Sequence, residues 1–424
     1  MKRKVESGKT LLVDGPASVS VVSGKVEVFG SQLGNERRVV AREGKRLPFA
    51  VNETATLDIS LGENSNIEET NGDTIPSSWI SAFEQLLKPE VKTLTAMIIG
   101  AVGSGKTSFC TFITNKLLTR EKKVAILDGD LGQSDVGPPG TLSYAHVKRQ
   151  TTDLFNLRAE DAYFIGTTSP NTVIDKMIEG LVRLHQKISA SASESIIVNT
   201  DGWIDGDDAV KYKSQLVKEL NPNIVFCLQL DNELEPLLNN LEKDRTVIID
   251  SPSVIKKRSR ERRRSLRELG YIKYLRNSKV RSIPISWLEI EGDTFIGLNV
   301  NREKMKGVSR IQELLGMQLL HVAELQSEIC IVVGKKRWIS QDKISRLEEA
   351  TKKKVVVLHK GEEEGLIMAL YDNERKWLGI GLLHEVDYRR KVMKISTPVS
   401  EKISRVELGR LKLDESYGEI PFYM

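Results

Sequence analysis

The stretch Gly100-Ala101-Val102-Gly103-Ser104-Gly105-Lys106-Thr107 constrains this chain more than any other. It has the form G-x-x-x-x-G-K-S/T, in which glycines let the backbone curl so that several N–H groups face one anion. The run Leu94-Thr95-Ala96-Met97-Ile98-Ile99 before it reads as a buried strand. After it, Phe109, Phe112, Ile113 and Leu117 recur at helical spacing. Strand, glycine loop and helix together form a phosphate-binding loop, with the helix N-terminus adding partial positive charge. In that frame Lys106 reaches the β- and γ-phosphates, the Thr107 hydroxyl takes a place on Mg²⁺, and Ser108 follows at the helix start. The sequence therefore implies a nucleoside triphosphate site.

A doubly covered parallel sheet is the fold such a loop requires. From about Val91 the chain alternates strands (Ala96–Ile99, Val124–Leu127, Tyr163–Ile165, Ile196–Val198, Ile224–Leu228, Val247–Ile249) with helical stretches such as Thr172–Ser189 and Asp208–Leu220. The first 88 residues read as a separate β module, with a hairpin from Val19–Val21 to Val26–Val28 across Ser23-Gly24-Lys25. The polar stretch Gly62 to Ser77 ends that module, and Trp79–Leu87 looks like an amphipathic connector. From Pro284 strands return at Trp287–Ile290, Ile329–Val333, Lys354–Leu358, Gly365–Leu370 and Gly379–Val386, with a helix at Ser340–Thr351. The expected class is α/β: a central domain at 91–283, flanked by an N-terminal β domain at 1–88 and a mainly β domain at 284–424.

Ligand chemistry gathers at the carboxyl ends of parallel strands. The second strand ends in Asp128-Gly129-Asp130-Leu131-Gly132-Gln133, where one carboxylate can support Mg²⁺ and the other can accept a proton from an attacking hydroxyl. Gln133 can orient the same substrate group. Asp201 and Asp250 also close apolar strands and compete for the metal role. Thr167-Thr168-Ser169 can hold phosphate or simply cap the following helix. Thr200-Asp201-Gly202-Trp203 sets an indole just past a strand end, where it can pack in the core or stack on a nucleobase.

The net charge of +5 hides a concentration. Between Lys256 and Arg281 twelve Lys/Arg face two acidic residues, a local +10 that leaves −5 for the rest of the chain. This run reads as a solvated helix face, a nuclear localisation run in a eukaryote, or a lid whose arginines close over phosphate. Arg263 and Arg267 are four apart, so a helix points both at one ligand. The three cysteines lack metal-ligand spacing and read as buried thiols in a reducing compartment. No apolar run is long enough to span a membrane.

Taken in order, G-x-x-G-x-G-K-T at Gly100–Thr107, D-x-D-x-G-Q at Asp128–Gln133, F-x-G-x-T-S-P at Phe164–Pro170, T-x-G-W at Thr200–Trp203 and R-x-x-x-R at Arg263–Arg267 resemble the polynucleotide 5′-hydroxyl kinases of the Clp/Grc type. Ser23–Gly30 and Leu378–Gly381 extend the resemblance to both flanks. The short N-terminal domain, and a C-terminal domain without long insertions, give it an archaeal cast. It implies transfer of the ATP γ-phosphate to the 5′-hydroxyl of RNA, sometimes single-stranded DNA, with Mg²⁺, in RNA processing away from any membrane. The setting implied is cytoplasmic. By this resemblance Asp130 is the base, Asp128 and Thr107 support the metal, Thr168, Ser169, Thr200 and Trp203 meet the polynucleotide, Arg263 and Arg267 form the lid, and Lys45 or Arg46 helps hold adenine. The competing reading is an ATP-binding scaffold of an RNA-processing complex with little turnover. A GTPase-type switch is disfavoured, because Gln229-Leu230-Asp231-Asn232 stands where a guanine-reading segment belongs.

Overall fold

The computed structural model describes residues 1–35, 37–255, 259–292, 302–324 and 328–421, with side chains of 302–308 excepted. Lys256, Lys257 and Arg258 of the basic run lie outside the described residues. The chain groups into two compact units, residues 1–270 and 271–424.

All six expected central strands are present, in one seven-stranded sheet. Its order is Asp161–Phe164, Thr141–Val147, Val124–Gly129, Ser195–Thr200, Leu94–Gly100, Ile224–Gln229, Thr246–Asp250. The last five run parallel. Thr141–Val147, which the sequence reading missed, runs antiparallel to both its neighbours. It follows Gly137-Pro138-Pro139-Gly140, a breaker cluster that marks a strand start. The glycine loop joins Leu94–Gly100 to the helix Lys106–Thr119. That helix packs on one face of the sheet, and the helices Ile174–Ser189 and Asp207–Leu220 pack on the other.

Phe109 and Phe112 sit beside Trp79, on the connector helix Ser77–Leu86, in an aromatic cluster. Trp79 is fully buried, and its Nε1 donates to the Asp250 carbonyl at 2.9 Å. The same core continues into the N-terminal seven-stranded sheet through Leu11, Val28 and Phe49, so the β module and the loop-bearing sheet share one interior.

Two readings of that module change. Val19–Val21 and Val26–Val28 belong to a single strand, Ala17–Val28, not to a hairpin. Gly24, at φ +91°, sits where a Cβ would lie 2.5 Å from the Thr54 carbonyl, and the register against Arg46–Leu61 slips there. The glycine makes a bulge against a close neighbour instead of a turn. The polar stretch after Gly62 contains an edge strand, Ile67–Asn71, paired with Lys9–Asp14.

The second unit holds two sheets. A largely antiparallel seven-stranded sheet contains the expected strands Leu366–Tyr371 and Trp377–Asp387, and it already begins at Lys279–Pro284. A separate three-stranded sheet, His321–Glu324, Glu328–Val333 and Lys354–His359, carries the helices Arg302–Leu315 and Gln341–Thr351 between its main-sheet flanks. The mainly β expectation holds for the larger sheet, and the expected strands Ile329–Val333 and Lys354–Leu358 and the expected helix Ser340–Thr351 fall in the smaller one as Glu328–Val333, Lys354–His359 and Gln341–Thr351.

Candidate active site

Gly103 at φ +80° and Gly105 at φ +103° take left-handed backbone that other residues adopt only with strain, and they curl the loop around Lys106. Lys106 is buried, and its Nζ donates to the carbonyls of Gly100 and Ala101, both at 2.8 Å. Burial, opposed by Asp130 and Asp201 and helped by Lys213, pushes its pKa down to about 8. The Ser104 Oγ is buried with no hydrogen-bond partner, and the half-buried Thr107 hydroxyl makes no hydrogen bond among the described residues.

The three strand-end carboxylates differ in what donates to them. Asp128 is fully buried. Its Oδ1 accepts from Asn199 Nδ2 (3.1 Å) and the Asp130 N–H (3.3 Å). Its Oδ2 accepts from Ser134 Oγ (3.2 Å) and from the N–H groups of Asp135 (2.8 Å) and Val136 (3.0 Å). Burial and the neighbouring Asp135 raise its pKa to about 6. A carboxylate offers about four lone-pair positions, and these five donors take them up. Asp201 is buried against Lys213, Nζ to Oδ2 2.7 Å, with the Tyr212 hydroxyl at 3.1 Å and the Trp203 N–H on Oδ1 at 2.9 Å. Asp250 stands exposed on the sheet's edge strand.

Asp130 is different. Only its Oδ1 is engaged, accepting the N–H groups of Gly132 (3.1 Å) and Gln133 (2.9 Å) in an Asx turn. Among the described residues Oδ2 makes no hydrogen bond. Burial, with Asp201 nearby, raises its pKa from the ordinary aspartate value, against the pull of Lys106.

The motif loops meet each other. A Cβ on Gly202 would lie 2.8 Å from the Val102 nitrogen, so the T-x-G-W turn lies directly on the phosphate loop. A Cβ on Gly132 would lie 3.2 Å from the Thr168 carbonyl, so the D-x-D-x-G-Q turn meets the T-S-P turn. Gln133 Nε2 donates to the Arg263 carbonyl at 3.1 Å, tying that turn to the helix Arg260–Leu275 that carries Arg263 and Arg267. Trp203 is half-buried, stacked on Tyr212 with ring centroids 6.0 Å apart and planes at 24°.

Several expected contacts are placed otherwise. The hydroxyl of Thr200 is buried and donates to the Ile98 carbonyl at 2.8 Å, tying two strands together. Thr167, Thr168 and Ser169 do not cap a helix: the next helix begins at Ile174, with Val173 at its N-cap position. Arg46 is committed to Asp14 (2.7 and 3.0 Å) and reaches the Val254 carbonyl at 3.4 Å. Val254 belongs to the turn whose Pro252 and Ile255 flank Gly105. Lys45 is buried near Asp153, at 3.5 Å.

Sequence reasoning missed Arg42, Asp135, Asp153, Tyr212 and Lys213. Lys213 had a legible signal, since it shares a helical stripe with the buried Ala209, Leu216 and Leu220. Arg42 had none, because its partners lie about a hundred positions away.

A parallel sheet with a glycine loop, a D-x-D turn beside it and an arginine-bearing helix over that turn defines a P-loop nucleotide-binding protein. Residues 100–277 match the family described as mRNA cleavage and polyadenylation factor CLP1 P-loop. A Pyrococcus abyssi protein named polyribonucleotide 5′-hydroxyl-kinase is 28% identical over 345 residues, 80% of this chain and 92% of the relative. A protein of the same name from Methanocaldococcus jannaschii is 29% identical over 80% of this chain and 92% of its own length. The solved Clp1p in a Clp1p–Pcf11p complex shares the fold at TM-score 0.67 and 15% identity, over 97% of each chain.

Proposed function

We propose that the chain is an ATP-dependent kinase of RNA 5′-hydroxyl ends. The observation that carries this reading is the meeting of the phosphate loop, the Asp130 turn and the lid helix: Gly202 against Val102, Gly132 against Thr168, and Gln133 on the Arg263 carbonyl. The archaeal relatives named for the same activity support it.

ATP phosphates sit on the N–H groups of residues 100–107, with Lys106 on the transferring group. Asp130 Oδ2 takes the proton of the 5′-hydroxyl, and its Asx turn fixes that oxygen's direction. Trp203 offers the ring face not covered by Tyr212 to the terminal base. Arg263 and Arg267 supply planar cations to the transferring phosphoryl group. Gln133 couples the base's turn to that helix.

The loop's residues fit a magnesium nucleotide: the Thr107 hydroxyl and the orphan Ser104 Oγ are the hard oxygen groups beside the curled N–H groups. Thr107 would hold the ion, whose chemistry is neutralisation of charge on the β- and γ-oxygens. Asp128, with both oxygens occupied, contributes charge and loop order from behind.

Labelled ATP with matched 5′-hydroxyl RNA and DNA oligonucleotides tests the reading. Label is expected on the RNA 5′ end. ATP binding without transfer to either strand would leave the scaffold reading in its place.

A further inference from the structure

Arg42-Glu43-Gly44-Lys45 joins two strands of the N-terminal sheet, Arg38–Ala41 and Arg46–Leu61. Four residues of this kind between strands normally form a solvated turn. Here the Arg42 and Lys45 side chains are only 16% and 5% exposed. Two largely buried cations need partners, and they find them in the loops that follow two central strands, Val124–Gly129 and Thr141–Val147. Arg42 Nε donates to Asp153 Oδ2 at 2.7 Å, its Nη2 bonds to Asp135 Oδ1, and its guanidinium lies 4.5 Å over the Phe155 ring. Burial alone would raise the Asp153 pKa, yet Arg42 and Lys45 hold it well below the usual carboxylate range.

Asp135 closes the turn that begins at Asp128. Its own N–H and that of Val136 hold Asp128 Oδ2, while the N–H groups of Gly132 and Gln133 hold Asp130 Oδ1. The middle of the Arg42–Lys45 turn faces the lid helix. Glu43 pairs with Arg262, and a Cβ on Gly44 would meet Arg262 Nε and Leu266 Cδ2, each at 3.2 Å. Gln133 on the Arg263 carbonyl joins the two halves. Turn, carboxylate loop and lid helix thus form a ring of direct contacts.

We propose that Arg42 is a positioning residue for phosphoryl transfer, and that the Arg42–Lys45 turn sets the Asp130 loop and the lid helix in one register. The proposal rests on the kinase reading. Simple adhesion between the two sheets is already supplied by the shared apolar core and by Asn115, whose Nδ2 donates to the Phe29 and Thr151 carbonyls, both at 2.8 Å. A buried fork on two carboxylates is a poor adhesive, because desolvating the ions costs about what their attraction returns. It does fix direction as well as distance, which apolar packing does not. Direction is what a base must have toward a hydroxyl.

The test compares Arg42→Met and Arg42→Lys with Val39→Ala, a buried apolar residue of the same sheet paired with Val19. For Arg42→Met, kcat on 5′-hydroxyl RNA should fall about 10- to 100-fold, while KM for ATP stays within about threefold. Arg42→Lys keeps the charge without the fork and should recover little of that loss. Val39→Ala should lower the melting temperature and leave kcat alone. Hydrogen exchange supplies a readout independent of transfer: Arg42→Met should expose amides of residues 130–136 while residues 98–108 keep their protection. Unchanged exchange at 130–136, or a kcat loss that Val39→Ala reproduces at equal loss of stability, would overturn the proposal. If the wild type transfers no phosphate the kinase reading fails, and the exchange result still decides whether Arg42 orders the loop.

Discussion

Lys106 should make nucleotide binding take up a proton at high pH. Its ammonium is buried and its pKa is pushed down to about 8, chiefly by burial, with Lys213 adding and Asp130 and Asp201 opposing. At pH 9 such a group is about nine-tenths neutral, and at pH 7 about nine-tenths charged. A triphosphate beside it restores the charged form. Binding of magnesium ATP should therefore absorb ~0.9 proton at pH 9 and ~0.1 at pH 7, and affinity should weaken ~10-fold between them, or ~1.4 kcal/mol. Calorimetric titrations in two buffers of different ionisation enthalpy measure the uptake directly. The same shift sets a stability sign. A lysine whose folded pKa lies below its unfolded one makes the unfolded state hold more protons, so its penalty is complete below about pH 8 and fades as pH rises toward 10.5. The drop from 10.5 to about 8 is worth roughly 3 kcal/mol, and the bonds to the Gly100 and Ala101 carbonyls return about 1 kcal/mol each. Lys106→Met should thus abolish transfer yet raise the melting temperature slightly at pH 7. No uptake at pH 9, or the same uptake in Lys106→Met, would refute the assignment of a depressed lysine.

Asp130→Asn keeps the Asx turn but cannot accept a proton, so single-turnover transfer should slow ~10²- to 10⁴-fold with ATP still bound. Asp128→Asn places an NH₂ group among donors, so thermal melting should show a loss of at least ~1–3 kcal/mol whatever the Mg²⁺ concentration. Trp203→Ala should weaken RNA binding ~5- to 150-fold by removing a stacked base, with ATP affinity unchanged in a direct binding assay. Lys213→Met leaves the Asp201 carboxylate buried and unpaired and should cost about 3–5 kcal/mol in denaturant unfolding, whereas Lys213→Met combined with Asp201→Asn should recover part of it.

Much of this was legible in the chain because the signals are local. The glycine loop, the six central strands, the connector at Trp79 and the helix carrying Arg263 each depend on residues within a few positions of one another. Thr141–Val147 was missed although a Gly-Pro-Pro-Gly breaker precedes it, because its seven residues mix small, polar and aromatic side chains in place of an apolar run. The false hairpin at Gly24 has the opposite cause. A glycine flanked by alternating residues fits a turn and a bulge equally well, and only the approach of Thr54 and Ala55 decides between them. The Arg42 contacts could not be read at all, since a short R-E-G-K segment says nothing about two aspartates far along the chain.

The ranking of the strand-end carboxylates shows why a site needs three dimensions even when its motif is plain. Asp128, Asp130, Asp201 and Asp250 all close strands or the turns beyond them, and in sequence each fits a metal ligand or a base. What separates them is the supply of donors. Asp128 meets five, all neutral, and so becomes the peg on which its own turn is wound. Asp201 meets a fully buried lysine and serves as that ion's partner, holding the Trp203 turn on the phosphate loop through the Trp203 N–H. Asp250 stands at the exposed edge. Asp130 keeps one oxygen aimed by two N–H groups and the other unengaged among the described residues, beside Lys106, whose pKa is depressed by burial. A group that must take a proton from a substrate needs that combination: held by one atom, open at the other, and with its pKa lifted by burial toward the pH at which it works. Of these four carboxylates Asp130 meets all three conditions, and in the role proposed for Arg42 its fork, three contacts away through Asp135 and Asp128, keeps that oxygen's direction.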